Sequence, residues 1–314
     1  RSELIRPLWL AHSSAMSHAL LLVPDLLLIV VGFLLCRHTL LDRPVWDAVE
    51  RLTYFLLFPV LLFSSIAKSP LHPAQTAALA GVGVGTVLCG IGLAYAIRRW
   101  PGVDARLHAS GAQTAFRFNS YIALALAERL GGAETLALMA LLIALCVPIC
   151  NIGAVWPLAR HGGHAYVREL VRNPFILGTL AGLLFNLAGL HLPDAVGTTL
   201  HRLGLAAIPL GLMAVGAGLK LGGLQAAPAL AAAFLTIRHV ALPAIALALS
   251  IWVGLPPLQQ AVVLAFAALP TASSAYVLAM RMGGHGPFVA GLVTMSTLLG
   301  MVSVPVWLAI GARL

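Results

Sequence analysis

Charged side chains are scarce in this sequence: Asp, Glu, Lys and Arg make up 9% of its 314 residues, while hydrophobic residues make up 60%. A soluble domain of ordinary composition carries about 25% charged residues, which cover its surface. This chain lacks the polar surface that water requires, so the composition predicts an all-α integral membrane protein. A signal peptide alone would not explain the composition, because the apolar runs continue to the C-terminus.

Acidic residues are rarer still, since ten Asp and Glu oppose nineteen Lys and Arg. The net charge of +9 does not indicate a nucleic-acid partner, because the basic residues stand in short clusters between apolar runs. Only Asp25 among the acids falls in the interior of a predicted span, the others marking loops or helix ends, and ion-coupled carriers often depend on buried carboxylates. The scarcity of acids therefore favours uniport or channel-like movement, and leaves open sodium binding by carbonyls and hydroxyls.

The sequence also lacks a pattern typical of metal sites or catalysis. Cys146 and Cys150 lie one helical turn apart with no His or carboxylate near them, which favours helix packing over a metal or redox pair. His161 and His164 would supply only two ligands in a loop. Neither His-Glu-x-x-His nor Gly-x-Ser-x-Gly occurs, which argues against an intramembrane enzyme. We expect no metal and no cofactor.

Apolar runs of membrane-spanning length, about 20 residues each, are what the chain has in abundance. Ten spans are predicted, at 19–36, 50–67, 74–97, 108–128, 135–157, 173–190, 202–219, 229–253, 258–280 and 287–311. Residues 1–18 precede them as an extension or interfacial segment. Lys and Arg are concentrated in one set of alternating loops, and the positive-inside rule then places both termini outside the cytoplasm.

Prolines and glycines recur at a constant offset of 150 residues, which indicates an internal repeat. The pairs at this offset are Pro24 and Pro174, Gly32 and Gly182, and Pro59 and Pro209. Each repeat would hold five spans, residues 19–160 in the first and 168–312 in the second. Because five is odd, the second copy enters the membrane from the opposite side, and the two form an inverted repeat.

The fourth and ninth spans contain polar stretches that a lipid-facing helix would not tolerate. Pro270 removes a backbone donor and clashes with the preceding turn, which frees carbonyl groups inside the membrane. Gly111 and the pair Asn119-Ser120 are expected to interrupt the fourth span similarly. Asn119 and Thr271 occupy equivalent places in the two repeats, so both breaks should lie near the midplane, where carriers of this architecture bind substrate.

Arg117 is the sharpest single signal, because a charge near the bilayer centre costs roughly 2.5–3.5 kcal/mol. A structural interpretation pairs Arg117 with Asp25 or with freed carbonyls. We favour a functional one, in which its planar guanidinium holds the carboxylate of an anionic substrate through two hydrogen bonds. Arg238 is interpreted as an arginine that snorkels to the cytoplasmic interface.

Several stretches, taken together and in order, resemble the bacterial members of the auxin efflux carrier family. They are residues 170–175, 182–186, 208–218, 269–284, 296–299 and 304–307. The resemblance runs from about residue 20 to the end of the chain. It departs from plant members, because the fourth span has no proline and the third has no acid–base pair, which argues against proton coupling and an auxin substrate.

This resemblance implies ten helices in two inverted repeats of five, with unwound helices 4 and 9 crossing near the midplane at the substrate site. It implies a scaffold of helices 1, 2, 6 and 7, a moving transport domain of helices 3–5 and 8–10, and often a homodimer. Family substrates are carboxylates, including malonate or malate in some bacteria.

The sequence thus predicts a multi-pass transporter of the bacterial inner membrane, with periplasmic termini, that moves a small mono- or dicarboxylate by alternating access. Besides Arg117, the predicted substrate-binding residues are Gln113, Asn119, Ser120, Thr271, Ser273 and Ser274, and Gly111 and Pro270 are the predicted helix-breaking residues. One alternative is a sodium-coupled organic anion symporter of bile-acid-symporter architecture. Another is a membrane-embedded ligand sensor without turnover.

Overall fold

The computed structural model of the protein describes Pro24 and residues 27–67, 73–159, 174–219, 222–272 and 274–314. Within these ranges the chain forms helices and short connections, and no strand. The all-helical prediction is therefore confirmed for the described part of the chain. The predicted extension 1–18, Asp25 and the predicted site residue Ser273 lie outside it.

Thirteen α-helices occur among the described residues. In chain order they are α1 (Leu27–His38), α2 (Arg43–Leu52), α3 (Phe58–Ala67), α4 (Pro73–Ala96), α5 (Ala105–Gly111), α6 (Ser120–Ala159), α7 (Pro174–Leu187), α8 (Asp194–Ala217), α9 (Pro228–Thr236), α10 (Leu242–Val253), α11 (Pro257–Ala268), α12 (Ser274–Arg281) and α13 (Gly286–Gly311). π-helical turns at Thr53–Leu57 and Ile237–Ala241 join α2 to α3 and α9 to α10 without a loop.

Five stretches of the described chain are long and apolar enough to cross a membrane. They are Thr76–Arg99, Ala105–Ala154, Asp194–Ala217, Pro228–Val253 and Gly286–Gly311. Their number makes the chain a multi-pass membrane protein. Shorter helices lie within the other predicted spans, and the total of ten spans in an inverted repeat stays a prediction.

The stretch Ala105–Ala154 is not one straight helix. It leaves helical geometry between Phe116 and Asn119, and it turns again inside α6 at Gly131 and Gly132. Gly132 has a φ of 63°, in the left-handed region that favours glycine. The predicted break at Gly111 is wrong in position: Gly111 is helical, and a 3₁₀ turn carries the chain on to Ala115.

Close packing between helices depends on small residues. A side chain at Gly216 in α8 would collide with the backbone of Ile29 in α1, and one at Gly178 in α7 would meet the backbone of Pro59 in α3. Such contacts let helix backbones approach closely where lipid supplies no hydrophobic driving force. Helix α3 packs mainly on α7 and α8, whereas α4, α6, α10, α11 and α13 contact one another.

Candidate functional site

The two interrupted segments touch each other. The first, residues 116–119, separates the 3₁₀ turn after α5 from α6, and the second, residues 269–272, lies between α11 and α12. The backbone N–H of Asn119 donates to the Pro270 carbonyl over 2.9 Å. The Thr271 hydroxyl donates to the Thr114 carbonyl over 2.6 Å. Backbone groups that each interruption frees are thus satisfied in part by the other segment.

Arg117 is half-buried and is held by Gln113, in the 3₁₀ turn before the first segment, and by Ser274, at the start of α12. Its Nη1 donates to Gln113 Oε1 over 3.0 Å, and its Nη2 donates to Ser274 Oγ over 3.1 Å. Gln113 is in turn fixed, because its Nε2 donates to the carbonyl of Ala275 over 3.2 Å. Hydrogen bonds to both partners orient the guanidinium before any ligand arrives.

Asn119 caps a helix with one side-chain atom and leaves another unpaired. Its Oδ1 accepts from the backbone N–H of Tyr121 at 3.0 Å and of Ile122 at 3.3 Å, at the start of α6. Its Nδ2 is buried and has no hydrogen-bond partner among the described residues, although the side chain is only 3% exposed. A buried amide donor without a partner is costly, which makes it a candidate for ligand binding.

A cavity of about 210 Å³ lies beside the contact between the two segments. Four of the predicted site residues line it: Arg117, Asn119, Ser120 and Ser274. Three further predicted residues, Gln113, Gly111 and Thr271, are fully buried or nearly so and do not line it. Pro270 does not line it either, but it lies in the second interrupted segment and accepts the bond from Asn119.

Sequence reasoning missed the residues that α2 and the second arm of α6 contribute. Glu50, Tyr54, Cys150 and Asn151 line the same cavity. Glu50 begins a predicted span and was therefore treated as a helix-end residue. Its carboxylate Oε2 accepts from Arg43 Nη2 at 3.1 Å, and Arg43 Nε also pairs with Asp47 at 2.8 Å. Only the fold brings α2 to the cavity, so no local pattern could have identified Glu50.

The surroundings of Arg238 also differ from what the sequence predicted. The snorkelling interpretation is wrong, because Arg238 is 2% exposed. Its guanidinium donates to the carbonyls of Leu269 at 2.5 Å, Ala267 at 3.1 Å, Phe266 at 3.2 Å and Phe116 at 3.4 Å.

The four acceptors explain why a charge is buried there. Three of the carbonyls lie at or just beyond the C-terminal end of α11, where a cation is favourable, and the fourth belongs to the first interrupted segment. Arg238 therefore stabilises both segments at once. The sequence did contain an indication of this arrangement. Arg238 is a second arginine inside a predicted span, and Pro270 was expected to free backbone carbonyls that an arginine can bind.

A hydrogen-bonded chain supports the second segment from the other side. The backbone N–H of Thr271 donates to Ser296 Oγ over 2.9 Å, and Ser296 Oγ lies 2.8 Å from His239 Nε2. His239 Nδ1 lies 2.8 Å from Ser303 Oγ. Among the described residues, no group of three or more His, Cys, Asp or Glu could hold a metal ion.

Comparison with known proteins identifies transporters as relatives of this chain. Residues 158–308 match the model of a family described as "Membrane transport protein". The chain is 27% identical over 303 residues to a "Putative malonate transporter" of Rhizobium meliloti (strain 1021), which covers 90% of this chain and 92% of that protein. It is 32% identical over 145 residues to an "Uncharacterized transporter" of Methanothermobacter thermautotrophicus, which covers 46% of this chain and 48% of that protein. As its resemblance to auxin efflux carriers predicted, the chain is similar to membrane transport proteins, and these similarities indicate a transporter rather than an enzyme.

Proposed function

We propose that the protein moves a small organic anion, a mono- or dicarboxylate, across the bacterial inner membrane by alternating access. The observation that carries the proposal is a cavity lined by both Arg117, whose guanidinium is oriented by hydrogen bonds, and Asn119, whose buried amide donor has no partner among the described residues. A carboxylate has two oxygens and satisfies both donors at once. The name of the Rhizobium meliloti relative, a putative malonate transporter, agrees with this substrate class.

Helix geometry supports binding of an anion at this place. Helix α6 begins at Ser120 and α12 begins at Ser274, and both residues line the cavity. The N-terminus of a helix carries partial positive charge and unpaired N–H groups, which favour anions. In carriers built from inverted repeats, the half-helices beside a break point these ends at the substrate.

The size of the cavity supports a small substrate. Its volume of about 210 Å³ is below the range of about 300–1,000 Å³ that is typical of sites for drug-sized ligands. A cavity of this volume favours a small acid over a drug-sized ligand.

Movement is proposed to occur between two groups of helices. In the ten-span inverted repeat, α1, α2, α3, α7 and α8 form the scaffold, and the remaining helices form the transport domain. The cavity lies between the groups, because Glu50 and Tyr54 come from the scaffold side and the interrupted segments from the other. Displacement of one group against the other would open the cavity to alternate sides of the membrane. The clustering of Lys and Arg supports periplasmic termini.

A thermal-shift screen of the purified protein in detergent tests the site. A carboxylate at about a hundred times its dissociation constant should stabilise the folded state by about 2.7 kcal/mol and raise the Tm by several degrees. Arg117→Ala should abolish the shift. The control, Arg99→Ala, alters an exposed arginine at the end of the 3₁₀ turn after α4 and should retain it. Equal stabilisation of wild type and Arg117→Ala would show that the anchor is elsewhere.

Uptake into proteoliposomes separates the proposal from its alternatives. Exchange of labelled for unlabelled carboxylate without sodium is the expected result. An absolute requirement for sodium would favour the bile-acid-symporter type of mechanism instead. Binding without any exchange would favour a sensor.

A further inference from the structure

A single acidic side chain, Glu50, is found among the described residues that line the cavity. It comes from α2, whereas the donors of Arg117 and Asn119 come from the interrupted segment before α6. A fixed negative charge opposes an anion, so binding of a plain carboxylate gives no reason for Glu50 to be there.

The surroundings of Glu50 offset its charge only in part. On its own helix, Arg43 pairs with Glu50 but also with Asp47, so one cation serves two carboxylates. Tyr54, in the π-helical turn that continues α2, also lines the cavity, and the facing elements contribute Tyr121, Cys150 and Arg117. Arg117 is the one cation in that set, and it is held by Gln113 and Ser274.

Within the described part of the chain, only one oxygen of Glu50 accepts a hydrogen bond. Arg43 donates to Oε2, and no described residue donates a hydrogen bond to Oε1. The cavity is thus lined by Asn119, whose buried Nδ2 has no partner among the described residues, and by Glu50, whose Oε1 accepts no hydrogen bond from them. A ligand that satisfies both needs an acceptor at one end and a donor at the other.

We infer that the cargo is a short carboxylic acid with a hydrogen-bond donor, a hydroxyl or an ammonium group, at the end opposite its carboxylate. Arg117 and Asn119 receive the carboxylate, and Glu50 receives the donor. The inference rests on the proposed function and narrows its substrate class. If malonate bound in the same orientation, its second carboxylate would face the carboxylate of Glu50. Malonate is therefore the most informative acid to compare.

Four acids with the same three-carbon skeleton test the inference: propionate, 3-hydroxypropionate, β-alanine and malonate. Their dissociation constants are measured by calorimetry on the full-length wild type and on Glu50→Gln. In the wild type, at least one of 3-hydroxypropionate and β-alanine should bind about tenfold or more tightly than propionate, with malonate weakest. The tighter of the two identifies the donor as hydroxyl or ammonium.

Glu50→Gln removes the charge and keeps the shape of the side chain. It should weaken the preferred donor-bearing acid by about tenfold, leave propionate unchanged and strengthen malonate. Asp47→Asn is the matched control, because Asp47 shares Arg43 but does not line the cavity, and it should preserve the wild-type order. If Glu50→Gln does not fold, Glu50→Asp, which retracts the carboxylate by one methylene, should weaken the donor-bearing acids selectively.

The outcomes separate this inference from the proposed function. Wild-type protein that binds propionate or malonate as tightly as both donor-bearing acids overturns the inference and leaves the proposed function standing. If the Glu50 variants rank the four acids by affinity in the same order as wild type, the inference is likewise overturned and the proposed function stands. Failure of all four acids to bind, or equal binding by Arg117→Ala, overturns the proposed function itself.

Discussion

The backbone N–H of Asn119 donates a hydrogen bond to the carbonyl of Pro270 over 2.9 Å, although the two residues belong to opposite halves of the chain. Each residue lies where a helix is interrupted. The Asn119 N–H supplies a donor to the Pro270 carbonyl, and that carbonyl supplies an acceptor to the N–H. Because Asn119 also lines the cavity, the shape of the candidate site depends on this contact.

The two functions of the Asn119 side chain can be separated by substitution. Asn119→Asp should keep the cap on α6, since aspartate caps helices as well as asparagine, and should leave the Tm close to that of wild type. It replaces the amide donor with a negative charge, so it should abolish the carboxylate-induced thermal shift and uptake. Asn119→Ala should lose both binding and about 1 kcal/mol of stability. Carboxylate binding by Asn119→Asp would contradict the role of the amide.

Arg238 should be intolerant of lysine. Its four carbonyl acceptors spread around a planar fork, and a single ammonium group has neither the reach nor the geometry to satisfy them all. Because each buried group left unpaired costs about 1–3 kcal/mol, Arg238→Lys should lower the Tm by several degrees. Thermal melts in detergent measure this, with Arg99→Lys as the exposed control. A Tm within about one degree of wild type would refute the structural role.

We expect Thr271 to stabilise the folded protein through the hydrogen bond of its hydroxyl rather than through the packing of its side chain. Thr271→Val keeps the shape but leaves the Thr114 carbonyl without its 2.6 Å donor, at a cost of about 1–3 kcal/mol. Thr271→Ser keeps the hydroxyl and should remain closer to wild type, with a smaller loss from the missing methyl group. The relative Tm values of these two variants give the result, and a valine variant more stable than the serine variant would contradict it.

Two glycine-to-alanine substitutions should act in opposite directions. At Gly216 the new methyl would collide with the backbone of Ile29 and force α1 away from α8, at about 1–3 kcal/mol. At Gly92 in α4 the methyl meets nothing within 4 Å, and alanine should stabilise the helix by up to about 1 kcal/mol. Differential scanning of both variants tests the prediction, which fails if Gly216→Ala melts at or above the wild-type temperature.

The sequence indicated residues beside which the described chain leaves helical geometry, and the depth of these interruptions in the membrane stays a prediction. Pro270 and the pair Asn119-Ser120 disrupt regular backbone bonding wherever the chain folds, and both lie in or beside an interrupted segment. Gly111 was assigned to the break in error, because glycine permits a helix as well as it permits an interruption. Its function is to make room, since a side chain there would lie 2.7 Å from Phe234 and 2.8 Å from Phe288.

The sequence could not assign partners to the buried polar groups. Arg117 and Arg238 both stand inside predicted spans, and nothing local distinguishes an arginine on a cavity from one that binds backbone carbonyls. The difference arises because α9 and its π-helical turn bring Arg238 to the end of α11, where carbonyls are unpaired. Glu50 joined the site for a similar reason, through the packing of α2.

By itself, the sequence determined that the chain lies in lipid, because it has so few charges, and that it is similar to membrane transport proteins. Tertiary structure alone decided which polar groups satisfy one another and which face the cavity. The physical reason is that hydropathy and helix-breaking are properties of neighbouring residues, whereas hydrogen bonds such as Arg238 to Phe116 join residues that are far apart along the chain.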